Sequence, residues 1–125
     1  MDIVDRKLIC RVKLHGKKRS VYEDALVDTG AAFTVIPPET CEFLDLEADN
    51  QLPKARLVTA SGIIETPVKI LEKLEIAELE IWRLQIVVHK IPDPAPIKVL
   101  LGMNFIERTK LVIDGKKGQF TLAYP

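Results

Sequence analysis

The residues with the clearest chemical potential are Asp28-Thr29-Gly30, which follow the apolar segment Ala25-Leu26-Val27. Glycine lets the backbone turn sharply and approach another group closely, so the carboxylate can be presented at the end of a strand. The tripeptide alone is weak evidence, because a chain of 125 residues contains it by chance roughly two or three times in a hundred. Asp and Gly are also ordinary turn residues, and a turn without chemistry is the alternative.

Other residue types that carry catalysis are scarce. The chain has two histidines, His15 and His89, and two serines, Ser20 and Ser61, and neither serine lies in a Gly-x-Ser-x-Gly sequence. No Cys-x-x-Cys or His-Glu-x-x-His spacing indicates zinc. No glycine-rich phosphate-binding loop indicates a nucleotide. We therefore expect neither a metal nor a cofactor.

Length and charge narrow the class of protein. A chain of 125 residues with 47% hydrophobic residues fits one domain, residues 1–125, with its own core. Eighteen basic and 18 acidic residues give no net charge, which argues against a nucleic-acid partner. No apolar segment approaches the roughly 20 residues of a membrane span, and the first residues do not resemble a signal peptide. Cys10 and Cys41 are expected to be reduced thiols of a cytoplasmic protein.

The apolar pattern predicts strands along most of the chain. Leu8, Cys10, Val12 and Leu14 alternate onto one face of the first strand. The predicted strands are residues 3–14, 20–27, 33–36, 57–60, 63–70, 73–77, 79–89, 110–114 and 119–124. Short helices are expected from the proline pair at 37–38 to residue 44 and over 103–108. The fold class is therefore all-β, a small barrel or sandwich.

Three details of this pattern can be checked directly. Pro67 lacks an amide donor, so it should lie at a strand edge or mark a bulge. Trp82 is expected to share a face with Leu84, Ile86 and Val88 and to be a core or interface anchor. Cys41 is expected to be a small buried residue of the first helix.

Two segments resemble one known family, the retropepsin-like aspartic proteases. Residues 25–31 (ALVDTGA) resemble the active-site strand of that family, and residues 99–106 (VLLGMNFI) resemble its second signature. Residues 59–62 (TASG) match the position of its flap. The resemblance covers most of residues 8–114, and the closing hairpin is more similar to the protease-like domains of cellular proteins than to the viral enzymes. It implies a closed acid-protease-like β-barrel and a homodimer that hydrolyses peptide bonds.

The resemblance also implies a role for each matching residue. Asp28 is the catalytic carboxylate, Thr29 bonds across the dimer axis, and Gly30 presents its backbone to the substrate. Because the chain carries one Asp-Thr-Gly, the paired carboxylates must come from two subunits. Residues implied to contact the peptide substrate are Ala31, Ala32, Ala60, Ser61 and Gly62. Residues implied to support the Asp28 loop from behind are Leu100, Leu101 and Gly102.

The sequence departs from the family at three positions. Viral members often carry an Asp and an Arg that form an ion pair, where this chain has Ala32 and Met103. Since both partners are replaced, no charge is left unpaired. Ala31 lacks the hydroxyl found there in pepsin-like enzymes, so the ionised carboxylate pair is less stabilised. We therefore expect activity to peak at about pH 4–6 rather than at a strongly acidic pH.

Two other functions remain open at this point. A catalytically weak peptide-binding or dimerisation module could keep the same fold, and the apolar Ala32 and Met103 are compatible with it. A subunit that serves a larger assembly as a scaffold is the third reading, and it predicts a fold that depends on a partner. The intact Asp28-Thr29-Gly30 favours the aspartic endopeptidase, because a binding module has no need for a carboxylate pair.

Overall fold

The residues that the structure describes fold into eleven strands and two short helices. The structure is a computed structural model that describes residues 1–48, 53–59, 61–91 and 96–125. The predicted connections 45–53 and 91–96 therefore lie partly outside the described residues. The elements are β1 (Ile3–Val4), β2 (Lys7–His15), β3 (Ser20–Val27), β4 (Thr34–Ile36), α1 (Pro38–Phe43), β5 (Ala55–Thr59), β6 (Gly62–Thr66), β7 (Val68–Ile76), β8 (Leu79–Val88), β9 (Val99–Leu101), α2 (Met103–Ile106), β10 (Lys110–Asp114) and β11 (Gln119–Ala123).

Six strands close into a barrel in the order β2-β3-β9-β4-β8-β7. The barrel closes because β7 also pairs with β2, where Leu14 lies opposite Leu74. Two hairpins, β5–β6 and β10–β11, stand outside this sheet. The all-β barrel expected from the sequence is confirmed. In the described ranges, no helix is long and apolar enough to cross a bilayer.

The interior of the barrel is filled by alternating apolar side chains. In β2, Cys10, Val12 and Leu14 are buried as the period-two pattern predicts. The largest fully buried side chains include Phe105 and Phe120, each of which stabilises the fold by about 1.5–3 kcal/mol relative to exposure. A second, smaller cluster joins Val35, Ala55, Val68 and Val87, with Phe33, Leu57 and Leu100 packed against it.

The helices are short and depend on packing. Pro37 precedes α1 and Pro38 occupies its first turn, where a missing amide hydrogen costs nothing. Cys41 is buried as expected, with 1% of its surface exposed. The second helix ends at Ile106, not at residue 108 as the sequence suggested, and the amides of Arg108 and Thr109 bond to carbonyls only three residues back, at Phe105 and Ile106, as in a tight turn.

Two predictions about strands were wrong. The segment 63–70 is not one strand, because Pro67 separates β6 from β7, and β7 then runs without a break through the expected gap near residue 72. Trp82 is 55% exposed, whereas Leu84 and Ile86 are buried. The cause is Arg83, whose positive φ of 51° shifts the in–out alternation of β8 at that point.

Candidate active site

The Asp28 loop begins where β3 ends and is fixed by backbone hydrogen bonds. The amide of Asp28 donates to the carbonyl of Leu101 at 2.9 Å, and the amide of Ala31 donates to the carbonyl of Asp28 at 3.2 Å. The amide of Gly30 donates to Oδ1 of Asp28 at 2.9 Å. The half-buried carboxylate is therefore held in one orientation by its own loop.

Strand β9 supports this loop from behind. It lies between β3 and β4, which are joined by the Asp28 loop but do not pair with each other. Leu100 lies opposite Leu26 and Leu101 opposite Val27 in the parallel β3–β9 ladder, and Leu100 also lies opposite Val35 of β4. The structure thus places Leu100 and Leu101 directly beside the strand that ends at Asp28.

Gly102 brings the second segment into contact with the first. A Cβ atom added at Gly102 would collide with the carbonyl oxygen of Phe33 and lie 2.9 Å from that of Ala31, so only glycine fits. The next two amides continue the contact, since Met103 donates to Ala31 at 2.7 Å and Asn104 donates to Ala32 at 3.0 Å. These contacts hold the Asp28 loop against Gly102, Met103 and Asn104, and we call these three residues the clamp.

The buried Thr34 and the half-buried Asn104, which the sequence analysis did not single out, add side-chain hydrogen bonds to this contact. Oδ1 of Asn104 accepts hydrogen bonds from the amide of Thr34 at 2.8 Å and from its hydroxyl at 2.9 Å. The Thr34 hydroxyl accepts from the amide of Gly102 at 3.3 Å, and Nδ2 of Asn104 donates to the carbonyl of Gln85 at 2.6 Å. The sequence signal that could have predicted this pair is a threonine inside the apolar run 33–36, because a buried hydroxyl needs a hydrogen-bond partner.

The β5–β6 hairpin occupies the position of the expected flap. Thr59 lies opposite Gly62 at its tip, and Gly62 has a φ of 117°, which side chains rarely adopt. Ser61 is exposed, and Ala60 lies outside the described residues. Leu57 of the hairpin and Phe33 of the Asp28 loop pack against the same small apolar cluster, which links the root of the hairpin to the loop.

Comparison with known proteins identifies this arrangement. The model of the family described as gag-polyprotein putative aspartyl protease matches residues 11–108, which include the Asp28 loop, the hairpin and the clamp. The chain belongs to this aspartyl protease family. The resemblance seen in the sequence is therefore confirmed. A search of curated proteins found no match.

Solved structures agree with the family assignment. A retropepsin-like aspartic protease from Rickettsia conorii is 25% identical, with a TM-score of 0.69 over 96% of this chain and 84% of that one. The EIAV protease, solved in complex with the inhibitor HBY-793, is 18% identical, with a TM-score of 0.63 over 88% of this chain and 96% of that one. The second likeness concerns the fold alone.

Several of the other expected site residues are exposed in the single chain. Thr29, Gly30 and Ala32 are exposed, and Ala31 is half-buried. Met103 is 38% exposed. The carbonyls of Ala31 and Ala32 accept hydrogen bonds from the amides of Met103 and Asn104. Thr29 has no such contact with the start of α2 and is exposed. The side of the loop away from the barrel is thus accessible to another molecule.

Three surface cavities in the described part of the chain lie away from Asp28. One cavity of about 340 Å³ lies near the end of α1 and is lined by two ion pairs, Lys17 with Glu47 at 3.1 Å and Arg83 with Glu72 at 3.3 Å. Two neighbouring cavities share its residue Asp45, and Asp28 lines none of the three. A single chain therefore presents Asp28 on an open surface.

The two thiols do not offer a second nucleophile. Burial raises the pKa of Cys10 to about 12, with a smaller contribution from the charge of Asp24. Burial also raises the pKa of Cys41 to about 11. Both groups are protonated at neutral pH and act as apolar core residues. Within the described ranges, no group of three or more His, Cys, Asp and Glu side chains could hold a metal ion.

Proposed function

We propose that the protein is an aspartic endopeptidase that works as a homodimer, with one Asp28 from each subunit forming the catalytic pair. The observation that carries this proposal is the Asp28 loop. Its carboxylate is oriented by Gly30, clamped through Gly102, and present once per chain. The open surface around Asp28 supports a second copy as the other half of the site. Membership of an aspartyl protease family supports the reaction type.

The chemistry follows from two carboxylates that share one proton, because like charges at close distance do not both ionise. The ionised carboxylate takes a proton from a water molecule, whose oxygen attacks the scissile carbonyl carbon. The protonated partner gives its proton to the carbonyl oxygen. When the tetrahedral intermediate collapses, the C–N bond breaks and a proton passes to the leaving nitrogen. The pair titrates as a unit.

The remaining roles are part of the same proposal. Thr29 holds the two Asp28 loops together across the dimer axis, and its exposure beside Asp28 supports this position. Gly30, Ala31 and Ala32 line the peptide, and the hairpin tip with Ala60, Ser61 and Gly62 covers it as an added strand. Leu100, Leu101 and Gly102 support the loop. The free, buried Cys10 and Cys41 support a reducing compartment, the cytoplasm.

The first experiment is cleavage of a diverse peptide library by the wild-type protein and by Asp28→Asn from pH 3 to 8. We expect wild-type cleavage with a maximum at about pH 4–6, and a loss of at least about 1000-fold in the variant, because the base that activates water is gone. Asp5→Asn, at an exposed aspartate in the β1–β2 turn, is the matched control and should cleave.

Each other result has a definite meaning. Equal cleavage by the wild type and Asp28→Asn would remove Asp28 from the mechanism. Cleavage that still increases down to pH 3, the lower end of the range, would contradict the role assigned to Ala31. A dimeric wild type that cleaves no peptide at any pH would overturn the proposal in favour of a peptide-binding or dimerisation module.

A further inference from the structure

A small cavity near the end of α1 takes no part in the proposed reaction. It has a volume of about 340 Å³ and is lined by residues of the β2–β3 turn, of the segment after α1 and of strands β7 and β8. This volume is at the small end of the range for ligand sites, about 300–1,000 Å³. The lining combines charged side chains with the buried Leu46 and the half-buried Ile70. The cavity is therefore large enough for a short, partly apolar ligand.

Two residues with an unusual backbone conformation line this cavity. Among the described residues, five that are not glycine have a positive φ. Three of them, Asp5, Arg6 and Ala77, lie in turns between paired strands, where this conformation is common. The other two are Asp45, with a φ of 52°, and Arg83, with a φ of 51°, and both line the cavity. Strained backbone of this kind is often found where proteins hold ligands.

Asp45 is unfavourable for the fold in two ways. Its amide donates to the carbonyl of Glu42 at 3.1 Å, and the next amide, of Leu46, donates to the carbonyl of Cys41 at 3.1 Å. In this helix-ending turn glycine is the usual residue at the position of Asp45. The negative charge also lies at the end of the helix where the carbonyls are partially negative. In the described part of the chain no basic side chain forms an ion pair with Asp45, so its exposed carboxylate is available to a cation.

Arg83 supplies the opposite charge. Ile81 and Leu84 are buried, and regular alternation from Ile81 would direct Arg83 into the barrel as well. Its positive φ instead turns the side chain outward, where it is 64% exposed. There Nη1 contacts both carboxylate oxygens of Glu72, at 3.3 and 3.4 Å. A guanidinium has further N–H donors at Nε and Nη2, and its planar shape suits a carboxylate, so Arg83 can bind a second anion.

The charges of the lining select the kind of ligand. Besides Asp45 and Arg83, the lining includes the ion pair of Lys17 with Glu47, at 3.1 Å, whose side chains are 62% and 75% exposed. An exposed pair contributes little to stability, so it rearranges at little cost when a ligand enters. A simple anion would meet the carboxylates of the lining, and a simple cation would leave the spare donors of Arg83 unused. A ligand that carries both charges matches both groups.

We propose that this cavity binds a short peptide with free amino and carboxyl termini, the size of a dipeptide. The ammonium group of the peptide binds Asp45, and its carboxylate accepts hydrogen bonds from Nε and Nη2 of Arg83. Its apolar side chain lies against Leu46 and Ile70. Peptides with free termini are products of endopeptidase cleavage, but the lining of the cavity is separate from the Asp28 loop. Binding therefore does not depend on the proposed activity, and its test requires no cleavage.

Peptide derivatives test both charges of the ligand. Ala-Leu, N-acetyl-Ala-Leu and Ala-Leu amide are titrated into the isotope-labelled wild-type protein, and the backbone amide shifts are followed by NMR. We expect Ala-Leu to shift the amides of residues 45–48, 70–72 and 83 with a dissociation constant on the order of 1 mM. Each derivative should bind about tenfold more weakly, because one charge is missing. Free leucine should also bind more weakly, and equal binding would replace the peptide by an amino acid as the ligand.

Two variants assign the ends of the peptide. Asp45→Asn removes the charge and keeps a side chain that tolerates a positive φ, so it should weaken Ala-Leu binding about tenfold and bind Ala-Leu and its acetyl derivative equally. Arg83→Gln should weaken Ala-Leu binding by a similar factor and bind Ala-Leu and its amide equally. Asp5→Asn and Arg6→Gln are the matched controls, since both positions are exposed, have a positive φ and lie outside the cavity. Both controls should bind like the wild type.

A third variant separates ligand binding from folding. Asp45→Gly relieves the backbone strain and removes the charge at the end of α1. We therefore expect it to raise the melting temperature, measured by circular dichroism, while it abolishes Ala-Leu binding. An Asp45→Gly protein that binds Ala-Leu like the wild type would overturn the role of Asp45, whatever its stability.

Other results would overturn the proposal as a whole. No shift at these amides with Ala-Leu up to about 20 mM would show that the cavity is only a solvated cleft. Equal shifts with all three peptides would show that the termini are not recognised. If Arg83→Gln unfolds the chain, Asp45→Asn with the three peptides still decides. A protein that binds Ala-Leu as expected but cleaves nothing keeps this site and loses only the proposed protease activity, and the reverse result removes only this site.

Discussion

Thr34 and Asn104 join the two segments that form the candidate site. Their side chains are buried or half-buried and bind each other, the amide of Gly102 and the carbonyl of Gln85. Four hydrogen bonds between three distant parts of the chain thus depend on two side chains. Such a network is costly to break, because a buried polar group that loses its partner keeps its desolvation cost.

Replacing Thr34 should therefore loosen the clamp. We expect Thr34→Val to lower the free energy of unfolding by about 1–3 kcal/mol, because the Gly102 amide and Asn104 Oδ1 each lose a hydrogen-bond partner while the shape is kept. Urea unfolding measures the change. Thr34→Ser keeps the hydroxyl and loses one methyl group, so it should cost about 0.8 kcal/mol. A Val variant as stable as the Ser variant would contradict the role of the hydroxyl.

The β5–β6 hairpin and the β2–β7 seam, where the barrel closes, differ in the contacts that hold them in place. The β5–β6 hairpin contacts the rest of the chain through Ala55 and Leu57 at its root, while Val58 near its tip is 86% exposed. The seam between β2 and β7 is covered on the outside by His15, Lys73 and Glu75. The hairpin can thus change shape locally, whereas the seam is part of the closed barrel.

Gly62→Ala tests the hairpin tip as a flap. At a φ of 117° an alanine is strained by about 1–3 kcal/mol, so the tip should adopt another turn. We expect kcat/KM for a peptide to fall by about tenfold with the melting temperature nearly unchanged. Gly115→Ala is the control, because that exposed glycine has no positive φ and nothing within 4 Å. Wild-type cleavage by Gly62→Ala would show that the tip does not position the substrate.

Glu75 makes the seam sensitive to pH. Its hydrogen bond to Lys73, at 2.9 Å, followed by that to His15, at 3.1 Å, lowers the pKa of the carboxyl from 4.5 to about 2. A carboxyl with a lowered pKa stabilises the folded state above its unfolded value and loses that contribution as the pH falls. The pH window is therefore 4.5 down to about 2.

The prediction concerns the difference between wild type and Glu75→Gln. The wild type should have the higher melting temperature at pH 6, and the gap should narrow steadily between pH 4.5 and about 2 as the Glu75 pKa is crossed. Thermal unfolding by circular dichroism across this range measures it. Glu78→Gln, in the exposed β7–β8 turn, should show no such narrowing. A gap that stays constant with pH would exclude the ion pair as its cause.

At the scale of the whole molecule, a single chain has a complete barrel but an open site. The closed sheet and its core belong to one chain, while Asp28 lies at a half-exposed loop outside the three cavities. We therefore expect folding stability to depend on the single chain and activity to depend on the dimer. The fold can persist in a monomer, whereas the proposed reaction needs two.

Mixing wild type with Asp28→Asn tests this need. If subunits exchange and each active unit needs two intact Asp28 side chains, an equimolar mixture keeps about one quarter of the activity of the same total of wild type. If one chain acts alone, it keeps about one half. Wild type mixed with an equal amount of an unrelated protein controls for dilution. A value of one half at a concentration where the wild type is dimeric would contradict the shared site.

The sequence predicted the parts whose signals are local. Alternation predicted most strands, and the second signature segment, with Leu100, Leu101 and Gly102, lies beside the Asp28 loop. It failed where distant contacts decide. The face on which Trp82 lies depends on the backbone of Arg83. The partnership of Thr34 and Asn104 depends on strands that meet only in the folded chain.

Local signals were enough to predict a carboxylate after an apolar strand at a glycine turn, because strand alternation and turn preference act between neighbouring residues. They did not predict that β9 inserts between β3 and β4 and holds that turn in place. Nor did they predict that the first residues of the chain pair with β11. The backbone groups of a strand can pair with any other strand, so the choice of partner depends on the packing of the whole folded chain.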